Sequence, residues 1–297
     1  MIESIEGVAF VERVDGVEAD PSTPPDLLVE VPHGADERAQ YDALASRMRG
    51  RLPDDLHEFF HANTDLGAWE LGRWVAHELV RRDPHRSARL IRCLLPRTLV
   101  DTNRVLEADG LTRGLPSYIE DPQDRALLSA LHARYVALAE AAVDEVGRAG
   151  GFLLLPHTYG PRTMGIEQVD ESIVHALRAA WAPEAWASWP VRPDVDLINR
   201  DPDGVEHTPP GLCQALIDAY AEVALAAVEA TTYSLHPASQ GARFATRYSG
   251  QSLCVEVRRD LLVDRFHLLE PNWLDPTKVR RAARPMVDPI RAWLDQR

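Results

Sequence analysis

Four short apolar runs punctuate the chain: Leu27–Val31 (LLVEV), Leu90–Leu95 (LIRCLL), Gly151–Leu155 (GFLLL) and Leu253–Val257 (LCVEV). Each has the length and composition of a strand buried on both faces. Between them, apolar residues recur at helical spacing. Leu66, Trp69, Ala76, Leu79 and Val80 fall mostly on one face, and Leu127, Leu131, Tyr135, Leu138, Ala142 and Val146 do so more cleanly. A third helix is predicted from Pro210 to about Val228, where Leu212, Leu216 and Val223 alternate with alanines behind a Pro-Gly start. Strands alternating with helices predict an α/β protein, a three-layer α/β/α arrangement around a mixed, mostly parallel sheet. No repeat or low-complexity linker divides the chain. The Pro/Trp-rich stretch Trp181–Pro193 is a predicted loop and the one candidate seam, so residues 1–297 are read as a single domain.

Charge and cysteine content narrow the function. The 32 basic and 46 acidic residues leave a formal net charge of −14, which argues against a nucleic-acid partner. A local arginine cluster can still bind a small anion against that global field. The three cysteines, Cys93, Cys213 and Cys254, are widely spaced and form no CxxC pair, so a reducing compartment is expected. Cys93 and Cys254 lie in apolar runs and read as buried small hydrophobes. The N-terminal MIESIEGVAFVERVDG lacks the form of a signal peptide, and no run of about 18 apolar residues occurs. A cytoplasmic protein with no membrane partner is the expectation; the oligomeric state is left open.

The polar residues gather where the strands end, which is where open α/β sheets place function. The first run leads into Pro32-His33-Gly34-Ala35-Asp36, the second is followed by Val100-Asp101-Thr102-Asn103-Arg104, the third leads into Pro156-His157-Thr158, and the last carries Glu256 and continues to Arg258. Two neutral imidazoles and a carboxylate make a three-ligand zinc site with an open fourth position. A further carboxylate can move protons, and an arginine can grip a substrate carboxylate. Each residue also has an ordinary structural role. A histidine after a strand is more often structural, Asp65 opens a helical pattern and suits an N-cap, and Asp36 suits a turn as well as a ligand position. Arg104 suits a surface ion pair, and Glu256 could pair with Arg258. The remaining histidines show no HExxH spacing; His236, before a Gly- and Arg-containing loop, is the best of them. No GxSxG elbow, GxGxxG loop or P-loop is present.

These blocks resemble, in order, those of the N-formylglutamate amidohydrolase family, distant relatives of the zinc carboxypeptidases and aspartoacylases. Val31-Pro32-His33-Gly34, Thr64-Asp65-Leu66-Gly67-Ala68, Val100-Asp101-Thr102-Asn103-Arg104, Leu155-Pro156-His157-Thr158 and Glu256-Val257-Arg258-Arg259-Asp260-Leu261 carry the likeness across roughly residues 27 to 262. The resemblance implies a phosphorylase/hydrolase-like fold and one divalent metal, zinc, held by His33, Asp65 and His157. It implies that Asn103 and Arg104 hold a substrate carboxylate, that Glu256 is the general acid/base, and that Arg258 binds substrate or orients Glu256. The implied activity is hydrolysis of the amide bond of an N-formyl or N-acyl amino acid such as N-formylglutamate. A metallopeptidase of short or cell-wall peptides and a non-catalytic small-molecule binder are the alternatives. One departure stands out: many relatives carry an acid two residues before the second histidine, and here that position is Leu155.

Overall fold

The computed structural model describes residues 2–106, 113–166 and 168–297. Its centre is a seven-stranded mixed sheet of order β1-β3-β2-β4-β7-β5-β6. The strands are β1 (Ala9–Asp15), β2 (Leu27–Val31), β3 (Ser87–Cys93), β4 (Phe152–Tyr159), β5 (Val195–Ile198), β6 (Ala227–Glu229) and β7 (Ser252–Arg258). β3, β2, β4 and β7 run parallel; β1 joins β3 antiparallel, β5 joins β7 antiparallel, and β6 lies parallel to β5. Ten α-helices are described: α1 (Arg38–Ala45), α2 (Leu56–Asn63), α3 (Ala68–Arg82), α4 (Pro122–Arg148), α5 (Ile173–Trp181), α6 (Pro183–Ser188), α7 (Leu212–Glu222), α8 (Gln240–Arg247), α9 (Pro276–Ala283) and α10 (Val287–Leu294).

Alternation along the strands divides the core. Leu27, Val29, Val31, Leu154, Val255 and Val257 face one layer with α3, α7, α9 and α10. Leu28, Ile91 and Leu153 face the other, with α1, α2, α4 and α5. The fold is thus the expected α/β sheet covered on both sides. α3 approaches the sheet closely at Gly72, where a Cβ would stand 2.4 Å from Val29 Cγ1 and 3.2 Å from Pro156 Cγ. α4 opens with Asp121, whose side chain accepts from Gln123 N and Asp124 N, followed by Pro122 in the first turn. It is long and apolar enough to cross a membrane, but Leu128, Leu131, Tyr135, Ala139 and Val143 are buried against the sheet, as in a core helix.

Three expectations change. β4 runs on to Tyr159, so Pro156 and His157 lie within the strand and not beyond its end. The helix expected to reach Val228 stops at Glu222; Ala224, at φ 54°, turns the chain, and Ala227–Glu229 becomes an edge strand on β5. The predicted loop 181–193 contains α6, started by Pro183 and packed through Trp186 against Trp181 with ring centroids 4.4 Å apart.

Candidate functional site

The carboxyl ends of the parallel strands bring the predicted residues into one buried cluster. β2 ends at Val31 and delivers His33. The following loop is clamped by Arg92, whose Nε donates to Gly34 O and whose guanidinium pairs with Asp36. That pairing occupies Asp36, whereas Asp65 is the carboxylate that reaches both histidines. Asp65 is not the cap of α3. Gly67 takes that place at φ 90°, against Leu262 and Leu274, where a Cβ would stand 2.8 Å from Leu262 Cδ1. The Asp65 side chain is therefore free to turn inward.

Asp65 Oδ2 lies 2.7 Å from His157 Nδ1 and 3.2 Å from His33 Nδ1. One nitrogen from each ring and one carboxylate oxygen lie within 4.8 Å of one another, and all three residues are buried. This donor set fits a tetrahedral divalent cation with an open fourth position, so the group could bind a metal ion. The other nitrogen of His33, Nε2, is held at 2.7 Å by Asp101 Oδ1, the kind of carboxylate–histidine contact that fixes ring orientation at metal sites. Asp101 Oδ2 in turn accepts from Arg97 Nε at 3.0 Å, and Asp101 Oδ1 accepts from Asn103 N.

The electrostatics follow from burying so many charges together. Burial pushes the Asp65 carboxyl up, but His33 and His157 outweigh it and hold it far below the usual carboxylate range. Asp101 is likewise held well below its ordinary value, with Arg97 and His33 overcoming burial. Burial opposes charge on His157 too, yet its contacts with Asp65 and Cys254 hold the imidazole pKa well above its ordinary range. Glu256 goes the other way. It stands directly across from His157 in the β4–β7 pairing, its Oε2 has no hydrogen-bond partner among the described residues, and burial pushes it up to about 7.

These groups line a cavity of about 1010 Å³ that also takes in Asn103, Arg104, Cys254 and Arg259. Asn103 Oδ1 accepts from Gly241 N in the first turn of α8, and Arg104 Nε lies 3.8 Å from Asp101 Oδ2. Burial lowers the Arg104 pKa. Arg258, expected to bind substrate or orient Glu256, is not among the lining residues. Its Nε donates to Asp260 Oδ1 and its Nη1 pairs with Asp194 and donates to Arg192 O. Arg259 faces the cavity instead, its Nη2 donating to Ala62 O at 2.7 Å and its Nε without a hydrogen-bond partner among the described residues. Cys254, expected to be a buried small hydrophobe, sits beside His157 and lines the same cavity. His236 lines it as well.

Arg97, Asp101 and Arg259 carry no role in the sequence-based expectations. The first two were visible as an i, i+4 acid–base pair beside the Asn-Arg block, but nothing local showed that Asp101 reaches His33. No carboxylate stands two residues before His157. The buried acid nearest in kind is Glu30 on β2, which accepts from the Tyr135 hydroxyl, lies within electrostatic reach of both imidazoles, and is pushed up by burial.

Fold and site together define an α/β protein with a candidate metal centre at its strand ends. No family model matches the chain. No curated protein matches it either. Among solved structures, a gene product of Agrobacterium tumefaciens is similar over 100% of this chain and 99% of its own, at TM-score 0.57 and 16% identity. N-formylglutamate amidohydrolase from Ralstonia eutropha is similar over 98% of this chain and 99% of its own, at TM-score 0.54 and 18% identity. At these identities the likeness is one of fold.

Proposed function

We propose that the protein is a metal-dependent hydrolase that cleaves the amide bond of an N-acyl amino acid, the reaction class that includes N-formylglutamate hydrolysis. The observation that carries this reading is the buried His33–Asp65–His157 donor set opening into the cavity with Glu256 beside it. The full-length likeness to a solved N-formylglutamate amidohydrolase supports it. His33, Asp65 and His157 would hold a zinc ion, which would supply Lewis acidity to the amide carbonyl and to water.

The chain's own residues do the rest. His33, oriented by Asp101, and His157 present one nitrogen each, with Asp65 between them. Glu256, with a pKa near neutrality, can take a proton at Oε2 and return it to the departing nitrogen. Arg104, beside Asn103 in the segment between β3 and α4, holds the substrate carboxylate, and Arg259 lines the cavity where Arg258 does not. The free cysteines suit a reducing, cytoplasmic setting.

The test is turnover of N-formylglutamate and N-acetylglutamate by the zinc-loaded protein, followed as free glutamate. Turnover abolished by chelator and restored by zinc, and reduced at least a hundredfold in Glu256→Gln, is the expected result. A protein that binds zinc stoichiometrically but turns over no N-acyl amino acid or dipeptide is a binding protein, and the proposal fails.

A further inference from the structure

The cavity lining combines two chemistries. One is the charged cluster already described, with the guanidinium groups of Arg104 and Arg259 among its cations. Each of these arginines has a buried Nε without a hydrogen-bond partner among the described residues, a donor that a ligand anion can satisfy. The lining also carries apolar side chains: Phe59 of α2, Leu177 of α5, Met164, Ile166 and Val169 from the segment between β4 and α5, where Arg162, Gln168 and Asp170 also line it, and Leu268. These six apolar residues belong to a single packed layer, Phe59, Leu177 and Leu268 as buried members and the other three packed against that layer. They are therefore continuous with the core.

A formyl group is one carbon and makes no use of such a wall. At about 1010 Å³ the cavity also reaches the top of the range of about 300–1,000 Å³ that suits drug-sized ligands, so N-formylglutamate leaves most of it unfilled. A substrate matched to both parts carries an anionic end and an extended apolar arm. We infer that the preferred substrates are amphiphilic N-acyl amino acids, with a carboxylate held by Arg104 and Arg259 and an apolar arm of several carbons lying on the wall formed by Phe59, Met164, Ile166, Val169, Leu177 and Leu268. This rests on the amidase reading above. The arm could be supplied by the acyl group or by the amino-acid side chain, and the chemistry that recognises it is the same.

Two measurements test this on the zinc-loaded full-length protein. The first is kcat/KM for N-acetyl-, N-butyryl-, N-hexanoyl- and N-octanoylglutamate, with N-formylleucine and N-formylphenylalanine as the side-chain arm. The second is calorimetric affinity for N-methyl- and N-octylglutamate, which lack a scissile carbonyl and report binding without turnover. Burial of each methylene is worth about fourfold, so kcat/KM rises more than tenfold from acetyl to hexanoyl, and N-octylglutamate binds at least tenfold tighter than N-methylglutamate. A rise for the N-formyl hydrophobic amino acids, with no rise along the acyl series, assigns the wall to the side chain. Ile166→Ser and Met164→Ser each lower the ratio of long-arm to short-arm turnover.

If short acylglutamates turn over and neither series improves with apolar length, the apolar-arm inference is wrong while the amidase reading stands. Length-dependent binding with no turnover of any amide overturns the amidase reading and keeps the amphiphile site. Neither turnover nor length-dependent binding overturns both.

Discussion

Asp101 is not among the three candidate ligands, yet His33, Arg97 and the Asn103 backbone all converge on its carboxylate. Its charge-assisted bond to His33 Nε2 leaves Nδ1 as the nitrogen facing Asp65 and makes the ring a better donor. Asp101→Asn keeps the shape and removes the charge, and zinc affinity is expected to fall about ten- to a hundredfold. Competition with a chelating dye measures it; unchanged affinity would assign Asp101 to holding Arg97 alone. His61 offers a separate prediction on stability. Its ring packs on Phe60 at 5.3 Å, and burial, with Arg38 and His57 adding repulsion, lowers its pKa from 6.5 to about 4. Between those values the unfolded chain binds more protons than the folded one, so stability is complete above pH 6.5 and is lost as pH falls toward 4. After allowance for solvent screening, the loss from pH 7.5 to pH 5 is about 1 kcal/mol. Urea denaturation at the two pH values checks this, and His61→Gln is expected to flatten the difference by that amount.

At the scale of elements, α3 sets the position of two strands that feed the site. Gly72 lets it touch Val29 of β2 and Pro156 of β4, each within a few residues of a candidate metal ligand. Alanine there gains up to about 1 kcal/mol of helix propensity. The added Cβ, at 2.4 Å from Val29 Cγ1, forces an overpacking that costs about 1–3 kcal/mol. The clash wins, so Gly72→Ala lowers the denaturation midpoint, and the Gly72→Ala/Val29→Ala pair recovers part of the loss in a double-mutant cycle. Additivity in that cycle would place the strain elsewhere. The same elements show what could be read from residues alone. β2 and β4 were legible because they are buried along their whole length, and β7 because Leu253, Val255 and Val257 alternate on its buried face. β1 was not, since an edge strand carries Glu12, Arg13 and Asp15, and neither was β6, whose three residues continue an alanine-rich helical pattern. The two histidines and Asp65 were legible as residues, but Asp65 was separable from Asp36 only once Arg92 was seen to claim the latter. Arg258 lies away from the cavity for a physical reason. Strand alternation sets it on the face of Glu256, but β7 ends there and Arg259–Leu261 forms a 3₁₀ turn. That turn swings Arg259 over the cavity, while Asp260 and Asp194 draw Arg258 away.

For the whole molecule, a net charge of −14 surrounds a cavity whose carboxylates and arginines are held in place by one another, so ion binding and folding are linked. A cation that binds only the folded chain stabilises it by about 2.7 kcal/mol at a hundred times its dissociation constant. For a chain of 297 residues that is a rise in Tm of about 4 °C. Zinc is expected to produce this rise and excess chelator to reverse it. Magnesium, which prefers oxygen ligands, is expected to do little at a site with two imidazoles. Because the His157→Ala variant leaves Asp65 with one partner fewer, its own baseline will be lower; the informative quantity is the difference with and without zinc within each protein. A second group, Glu206, Cys213 and Glu229, also brings three ligand atoms within 4.8 Å, on the far edge of the sheet beside β6. The two sites separate cleanly. A zinc-dependent rise in the wild type that vanishes in His157→Ala and persists in Cys213→Ser puts the ion at the strand ends. A rise that survives His157→Ala and is lost in Cys213→Ser moves it to the edge, and removes the chemical basis for amide hydrolysis in the cavity.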